Sequence, residues 1–306
     1  MFAMAACLSA QPLVFPPWSK GASNPALDKG VDFQVPDIDN VPDLHGNPNN
    51  ALLVLFVGGN QFMVMPALIQ AFEAEHPELR GRIFYETLPP GILSKQIAAK
   101  GIVTLGNFTL EAQADVYEAG LNAVQEMEKA GVLDAPVTYA TNDLAIMVRR
   151  GNPLNIRSLQ DLGTERIRLA MPNPGWEGVA KQIAASIEKA GGKGLVDTVM
   201  NKKVSDGTTF LTQIHHRQTP MRIMTGQSDA GVVWTSEIKF QERIGNSVAG
   251  VAIPIEQNAT GTYAAAILKN APHRAAASEW LAFLKSVAGQ KAYADYGFKP
   301  VDIQSK

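Results

Sequence analysis

The chain has 306 residues, 46% of them hydrophobic and 18% charged, a composition that fills one large or two medium cores and excludes a disordered chain. Its formal net charge is −2, from 27 Lys and Arg against 29 Asp and Glu, so no basic nucleic-acid footprint is present. No apolar run approaches the roughly 20 residues of a membrane-spanning helix, and the single cysteine, Cys7, excludes an internal disulfide and any multi-cysteine metal site.

Residues 1–10 read MFAMAACLSA, apolar and small, with no basic residue before Lys20. Leu8-Ser9-Ala10 resembles the small-residue end of a secretory signal and Ala5-Ala6-Cys7 a lipoprotein processing site, although an ordinary chain end reads the same way. The expectation is a periplasmic or lipid-anchored protein. A cysteine-free body is compatible with an oxidising compartment. Residues 11–50 are rich in Pro, Gly, Asn and Asp, so residues 1–50 are expected to form an irregular extension.

Ala51–Val57 (ALLVLFV) is a continuous apolar run of strand length ended by Gly58-Gly59-Asn60, the pattern of a strand covered on both faces. Phe62, Met65, Leu68, Ile69 and Phe72 then recur at spacings of three and four, a helix with one buried stripe. Ile83–Glu86 is a second strand, Leu88-Pro89-Pro90-Gly91 a turn, and Ile92, Leu93 and Ile97 mark the next helix. Asp115-Val116-Tyr117 begins a third strand, followed by a helix with Leu121, Val124 and Met127. This alternation is an α/β grammar of parallel strands and crossovers.

The middle of the chain repeats it. Leu144–Val148 and Ile167–Met171 read as strands, and Val179, Ile183 and Ile187 share a helix face that Gly191-Gly192 breaks. The spacing predicts helix over Thr208–Ile223 on either side of Pro220, then a buried strand Ala230–Trp234. Val248–Pro254 and Tyr263–Leu268 are β-like, and one final helix is expected from about Arg274 to Val287.

Enzyme signatures are missing. No Gly-Lys precedes Ser or Thr as a phosphate loop requires. The Gly58-Gly59 turn lacks the third glycine of a dinucleotide site, and Gly226–Gly231 is one residue too long for a nucleophile elbow. The adjacent pair His215-His216 projects in directions about 100° apart on a helix and would not readily share a metal. No catalytic residue, metal ligand or cofactor is therefore assigned. What stands out is the content of three strand-to-helix loops: Gly58–Gln61, Thr87–Gly91 and Asn173–Trp176. Backbone N–H groups at a helix start carry partial positive charge and bind anions without a formal cation. In open α/β sheets these loops are where ligands gather. Turn chemistry alone would also place Gly, Asn and Pro there. Thr212–Pro220 is the densest polar segment; Arg217 could fork onto an oxyanion, or the segment could be a solvated helix face. Trp234 is either a core aromatic or a lid over a ligand.

Taken together, Ala114-Asp115-Val116, Asp143–Val148, Gly151-Asn152-Pro153, Gly226–Trp234 and Tyr296-Gly297-Phe298 resemble, in order and spacing, the molybdate/sulfate-binding components of ABC transporters. The resemblance spans Leu52 to Phe298. It implies the two-lobe, type II periplasmic binding protein fold, each lobe a mostly parallel sheet flanked by helices and joined by two crossing strands. Lobe one would be residues 51–142 plus 250–306, and lobe two residues 143–249. The resemblance places ligand contacts on Gly59, Asn60 and Gln61, on Thr87, Pro90 and Gly91, and on Asn173 and Trp176. It places further contacts on His215, His216, Arg217 and Thr219, with Trp234 as the ligand-facing aromatic. It implies a small anion of the molybdate or tungstate type, delivered by a monomer to an ABC permease, with no nucleic-acid partner. Similar molybdate binders carry serine hydroxyls in the first two loops and a tyrosine at the aromatic position, which this chain does not. An organic carboxylate or phosphorylated metabolite as ligand stays open, as does an enzyme on the same scaffold using His215 or His216, and a sensory or adhesive role.

Overall fold

The computed structural model describes residues 31–34, 42–105, 108–175, 177–213, 215 and 217–301. Its first elements correct the expectation of an irregular extension up to residue 50. Strands β1 (Val31–Gln34) and β2 (Pro42–Gly46) pair antiparallel. Pro42 is tolerated because it opens a strand, where a missing N–H breaks no central ladder. Asp43 and Leu44 are buried, so the segment is held by tertiary burial that its local composition does not announce.

The apolar run becomes β3 (Leu53–Val57), buried at every position. It leads through a single 3-10 turn, Gly59–Gln61, into α1 (Met65–Glu75), which buries Met65, Leu68 and Phe72. Next come β4 (Ile83–Glu86), α2 (Pro90–Ala98), and a separate hairpin, β5 (Ile102–Leu105) with β6 (Phe108–Glu111). β7 (Val116–Gly120), α3 (Leu121–Lys129) and β8 (Val137–Asn142) complete the first pass. The chain then enters a second sheet with β9 (Leu144–Arg149), β10 (Leu169–Met171) and α4 (Val179–Asp197). The glycine pair breaks α4 as expected: Gly191 and Gly192 leave helical geometry, Gly192 at φ 71°, and a second helical stretch resumes beyond them and runs through a π-helical turn into α5 (Lys203–Ser205).

The helix expected over Thr208–Ile223 is not formed as such. Thr209–Leu211 is a strand, β11, paired in parallel with β10, and helix resumes only at α6 (Gln218–Met224). β-Branched and aromatic residues suit a strand beside a vacant sheet edge, and Pro220 falls in the first turn of α6, where its missing N–H is harmless. β12 (Ala230–Trp234), α7 (Thr235–Arg243) and β13 (Val248–Ala252) finish the second sheet. The chain returns with β14 (Gly261–Ile267), and the expected single terminal helix is two, α8 (Arg274–Leu284) and α9 (Val287–Asp295), before β15 (Lys299–Pro300). Ser286 separates these helices by capping α9, its Oγ accepting from the Gly289 N–H at 3.1 Å.

The eight-stranded sheet has the order β1-β2-β4-β3-β7-β14-β8-β15 and the five-stranded sheet the order β11-β10-β12-β9-β13. Parallel pairing is confined to β3 with β4 and β7, and β10 with β11 and β12. Both sheets are therefore mixed rather than mostly parallel, because the strands entering from a crossing, β8 and β14 in one and β9 in the other, pair antiparallel with their neighbours. The crossings lie at Asn142–Leu144 and between Ala252 and Gly261; Gly250 lies inside β13. Each sheet has its own core, one around Phe56, Phe72 and Trp280, the other around Ile146, Ile183 and Val232. Among the described residues no helix is long and apolar enough to cross a membrane, and no three His, Cys, Asp or Glu side chains gather as metal ligands would.

Candidate functional site: a cavity between the two lobes

A cavity of about 290 Å³ lies between the sheets. From the eight-stranded side it is walled by Gly59, Asn60, Pro89 and Pro90, by the α3 start Gly120–Ala123, and by Thr260–Tyr263 of the return crossing. From the five-stranded side come Glu177–Val179 at the start of α4, then Lys181, Gln182, His215 and Trp234.

Three of the helices that begin here, α2, α3 and α4, have no side chain capping their first turn. Their N-cap residues are Pro89, Gly120 and Gly178. A Cβ placed on Gly120 or Gly178 would meet nothing within 4 Å, so these glycines leave the helix starts open to the cavity. Pro90 offers no N–H, and the Ile92 and Leu93 N–H groups both donate to the Pro89 carbonyl, so α2 meets the cavity through its two prolines and not through amides. Helix α7 differs: its Glu237 Oε2 accepts from the Trp234 N–H at 3.0 Å, capping that helix from within.

Two glycines let the lobes touch. A Cβ on Gly59 would lie 1.8 Å from Nε2 of His215 and 2.7 Å from the Thr87 carbonyl oxygen. A Cβ on Gly261 would lie 2.4 Å from Cη2 of Trp234. Each contact joins a side chain of one lobe to the bare backbone of the other. His215 is fixed from behind, its Nδ1 accepting from the Arg217 N–H at 3.1 Å, which makes Nε2 the protonated, donating nitrogen of a neutral ring. Asn60 Nδ2 donates to the Tyr263 hydroxyl, whose burial keeps the phenol protonated far above the usual range.

Five of the residues expected to contact ligand, Gly59, Asn60, Pro90, His215 and Trp234, thus line the cavity. Trp176 and His216 lie outside the described residues. Six others lie elsewhere. Gln61 turns into the core, its Oε1 accepting from the hydroxyls of Tyr139 (3.0 Å) and Tyr293 (2.9 Å). Thr87 donates to Asp43 Oδ1 at 3.2 Å. Gly91 is one residue behind the wall, its carbonyl accepting from Ser94. Asn173 holds its own turn, with Oδ1 accepting from Gly175 N and its N–H donated to Glu177 Oε1. Thr219 packs beneath the sheet against Gly231. Arg217 forms an ion pair with Asp43 of β2, both buried, and its guanidinium sits 4.7 Å above the Phe62 ring. Burial raises the Asp43 pKa and the Arg217 charge opposes that rise. The arginine fork is thus used on a carboxylate of the protein itself, binding one lobe to the other.

Lining residues missed from the sequence are Gly120–Ala123 and Glu126, Glu177–Val179, Lys181, Gln182 and Thr260–Tyr263. The rule applied to the other loops, a strand running into a helix through glycine, would have found Gly120. Glu177 braces its loop by accepting from Asn173 N at 3.1 Å and from the Thr212 hydroxyl. Tyr263 lies on the return strand and carries no local signal.

Comparison with known proteins accords with this geometry. The profile of the family described as bacterial extracellular solute-binding protein matches residues 53–299. The molybdate-binding protein ModA of Mycobacterium tuberculosis is 28% identical over 192 residues, covering 62% of this chain and 67% of that protein. Among solved structures, the sulfate-binding protein SubI of Mycobacterium tuberculosis aligns with a TM-score of 0.70 at 23% identity, over 83% of this chain and 88% of SubI. The periplasmic molybdate-binding protein of Azotobacter vinelandii aligns with a TM-score of 0.63 at 15% identity, over 82% of this chain and 100% of its own. The fold is that of the type II periplasmic binding proteins, and the chain belongs to the bacterial extracellular solute-binding protein family.

Proposed function

We propose that this protein is the extracytoplasmic binding component of an ABC transporter, held in the periplasm or at the membrane surface, which captures a small anion between its lobes and presents it to a permease. The observation that carries this reading is that helix starts from both lobes, α3 on one side and α4 on the other, open uncapped on one cavity. Such starts attract negative charge without a cation. Each neutral hydrogen bond contributes only about 0.5–1.5 kcal/mol net, and micromolar affinity corresponds to about 8 kcal/mol, so donors must converge from both lobes. Asn60 and His215 supply polar side chains beside those amides. Ligand that touches both lobes favours the closed arrangement over an open one. The similarity to ModA supports a tetrahedral oxyanion as the head group recognised.

Thermal unfolding with molybdate, tungstate, sulfate and organic anions tests the proposal. A bound anion at about a hundredfold over its Kd stabilises the folded state by about 2.7 kcal/mol, which raises the melting temperature; failure of every anion to do so would refute anion capture.

A further inference from the structure

We infer that the natural ligand is an organic oxyanion, a sulfonate or phosphonate in which one position of the tetrahedral head carries a short carbon body resting on Trp234 and Tyr263. The inference rests on the anion-capture reading above and narrows it.

Size is the first ground. A water molecule's share of liquid volume is about 30 Å³, and a four-oxygen anion displaces roughly three of them, about 100 Å³ by that measure. The cavity holds about 290 Å³, leaving room for several carbons beyond the head.

Wall chemistry is the second. A bare tetrahedral oxyanion needs donors in every direction, because an oxygen pressed against hydrocarbon loses its water and gains no partner. Here donors come from the helix starts and from Asn60, His215, Asn122, Lys181, Gln182 and the threonines Thr260 and Thr262, while Leu121, Val179, Pro89 and two aromatic residues supply apolar wall. The rings of Trp234 and Tyr263 meet edge to face with centroids 6.0 Å apart. The Tyr263 hydroxyl accepts from Asn60 Nδ2, and Tyr263 lines the cavity beside Trp234. Trp234 stands where its indole is pinned against Gly261, and a rigid aromatic face suits carbon rather than oxygen.

Charge at the mouth is the third. Exposed Glu126 and Lys181 stand on opposite lobes at the cavity, and Lys181 is the one Lys or Arg among the described lining residues. With Glu126 and Glu177 against the single Lys181, the charged side chains of the wall sum to a net negative, which favours a ligand carrying one anionic head over one carrying several.

The test is calorimetric titration of the full chain, at constant ionic strength, with sulfate, molybdate, and methane-, propane- and benzenesulfonate and the matching phosphonates. Burial of each added methylene should tighten binding roughly fourfold, so propanesulfonate should bind roughly 15-fold more tightly than methanesulfonate, and both more tightly than sulfate. Trp234→Leu should lower affinity for every anion, because that ring also meets Gly261 of the other lobe, and should flatten the dependence on chain length in the anions that still bind. Since that variant could unfold, tryptophan emission of the unmutated protein serves as a second readout, and propanesulfonate should change it more than sulfate does. Sulfate or molybdate binding more tightly than every organic anion, or a series flat with chain length, overturns this inference and leaves anion capture standing. Absence of binding by all of these anions overturns both.

Discussion

His215 and Gly59 meet where the lobes approach most closely, and their contact shows why a single methyl group matters here. Gly59→Ala would drive a Cβ to 1.8 Å from His215 Nε2, so the second lobe must retreat. The same atom crowds the Thr87 carbonyl at 2.7 Å, adding strain within the first lobe. Anion affinity is expected to fall about tenfold or more, by calorimetry, with both separate cores still folded. The Arg217–Asp43 pair sets a second expectation. Asp43→Ala leaves a buried guanidinium opposite an empty position and should cost about 3–5 kcal/mol in chemical denaturation. Replacing both partners by apolar residues of similar size should recover much of that loss.

Two buried carboxyls predict the pH response. Burial pushes the Glu86 pKa up to about 8; the Gln96 amide opposes this and the Asp43 charge adds to it. Burial raises the Glu118 pKa to about 7, against the hydrogen bond from the Trp280 indole N–H. Both values lie above the ordinary 4.5, so the folded chain holds protons that the unfolded chain releases. Stability should be greatest below about pH 4.5 as far as these groups are concerned, and fall as pH rises from there to about 8. Glu86→Gln and Glu118→Gln should each flatten that decline in melts recorded from pH 5 to 8.

At the scale of elements, the open helix starts invite a substitution that separates stability from binding. Gly120 has φ −58°, which any residue adopts, and space beside its Cα. Gly120→Asp places a carboxylate at the N-cap of α3, where it accepts from first-turn amides and complements the helix dipole. Stability should rise by about 0.5–1 kcal/mol, while anion affinity drops sharply because the site now carries its own negative charge. Unchanged anion affinity in a folded Gly120→Asp variant would show that this helix start has no part in binding.

Much of this layer was legible in the chain. Continuous apolar runs such as Leu53–Val57 and Ala230–Trp234 announced buried strands, and the 3.6-residue stripe of Met65, Leu68 and Phe72 announced α1. Short strands made by pairing were not: Thr209–Leu211 owes its shape to β10 alongside it, and Pro42–Gly46 to its pairing with β1 and β4. The α3 junction escaped notice because Val116–Gly120 is interrupted by Glu118, whose carboxyl is accommodated in the core by the Trp280 N–H at 2.6 Å, a partner 162 residues away.

The whole molecule is two cores joined by two crossings and by a small set of contacts between lobes. Besides His215 on Gly59, Trp234 on Gly261 and Arg217 with Asp43, Phe62 meets Phe240 edge to face at 5.2 Å and Arg243 lies 4.9 Å over the Tyr296 ring. Arg217 illustrates the limit of reading from sequence: its polar neighbourhood suggested a ligand contact, but its partner Asp43 lies 174 positions earlier, beyond any local pattern. Contacts of this kind hold the lobes together around the cavity, and a ligand that touches both lobes adds to them in the closed arrangement alone.

The claim at the centre, that amides at helix starts of both lobes hold the anion together, is tested most directly by amide NMR of the labelled protein during titration with a binding anion. The account predicts that the largest shifts and the greatest gain in exchange protection fall together on the first turns of α3 and α4, Leu121–Ala123 and Gly178–Val179. Perturbation confined to one lobe, or centred on Arg217 and Asp43 with those turns unchanged, would contradict it.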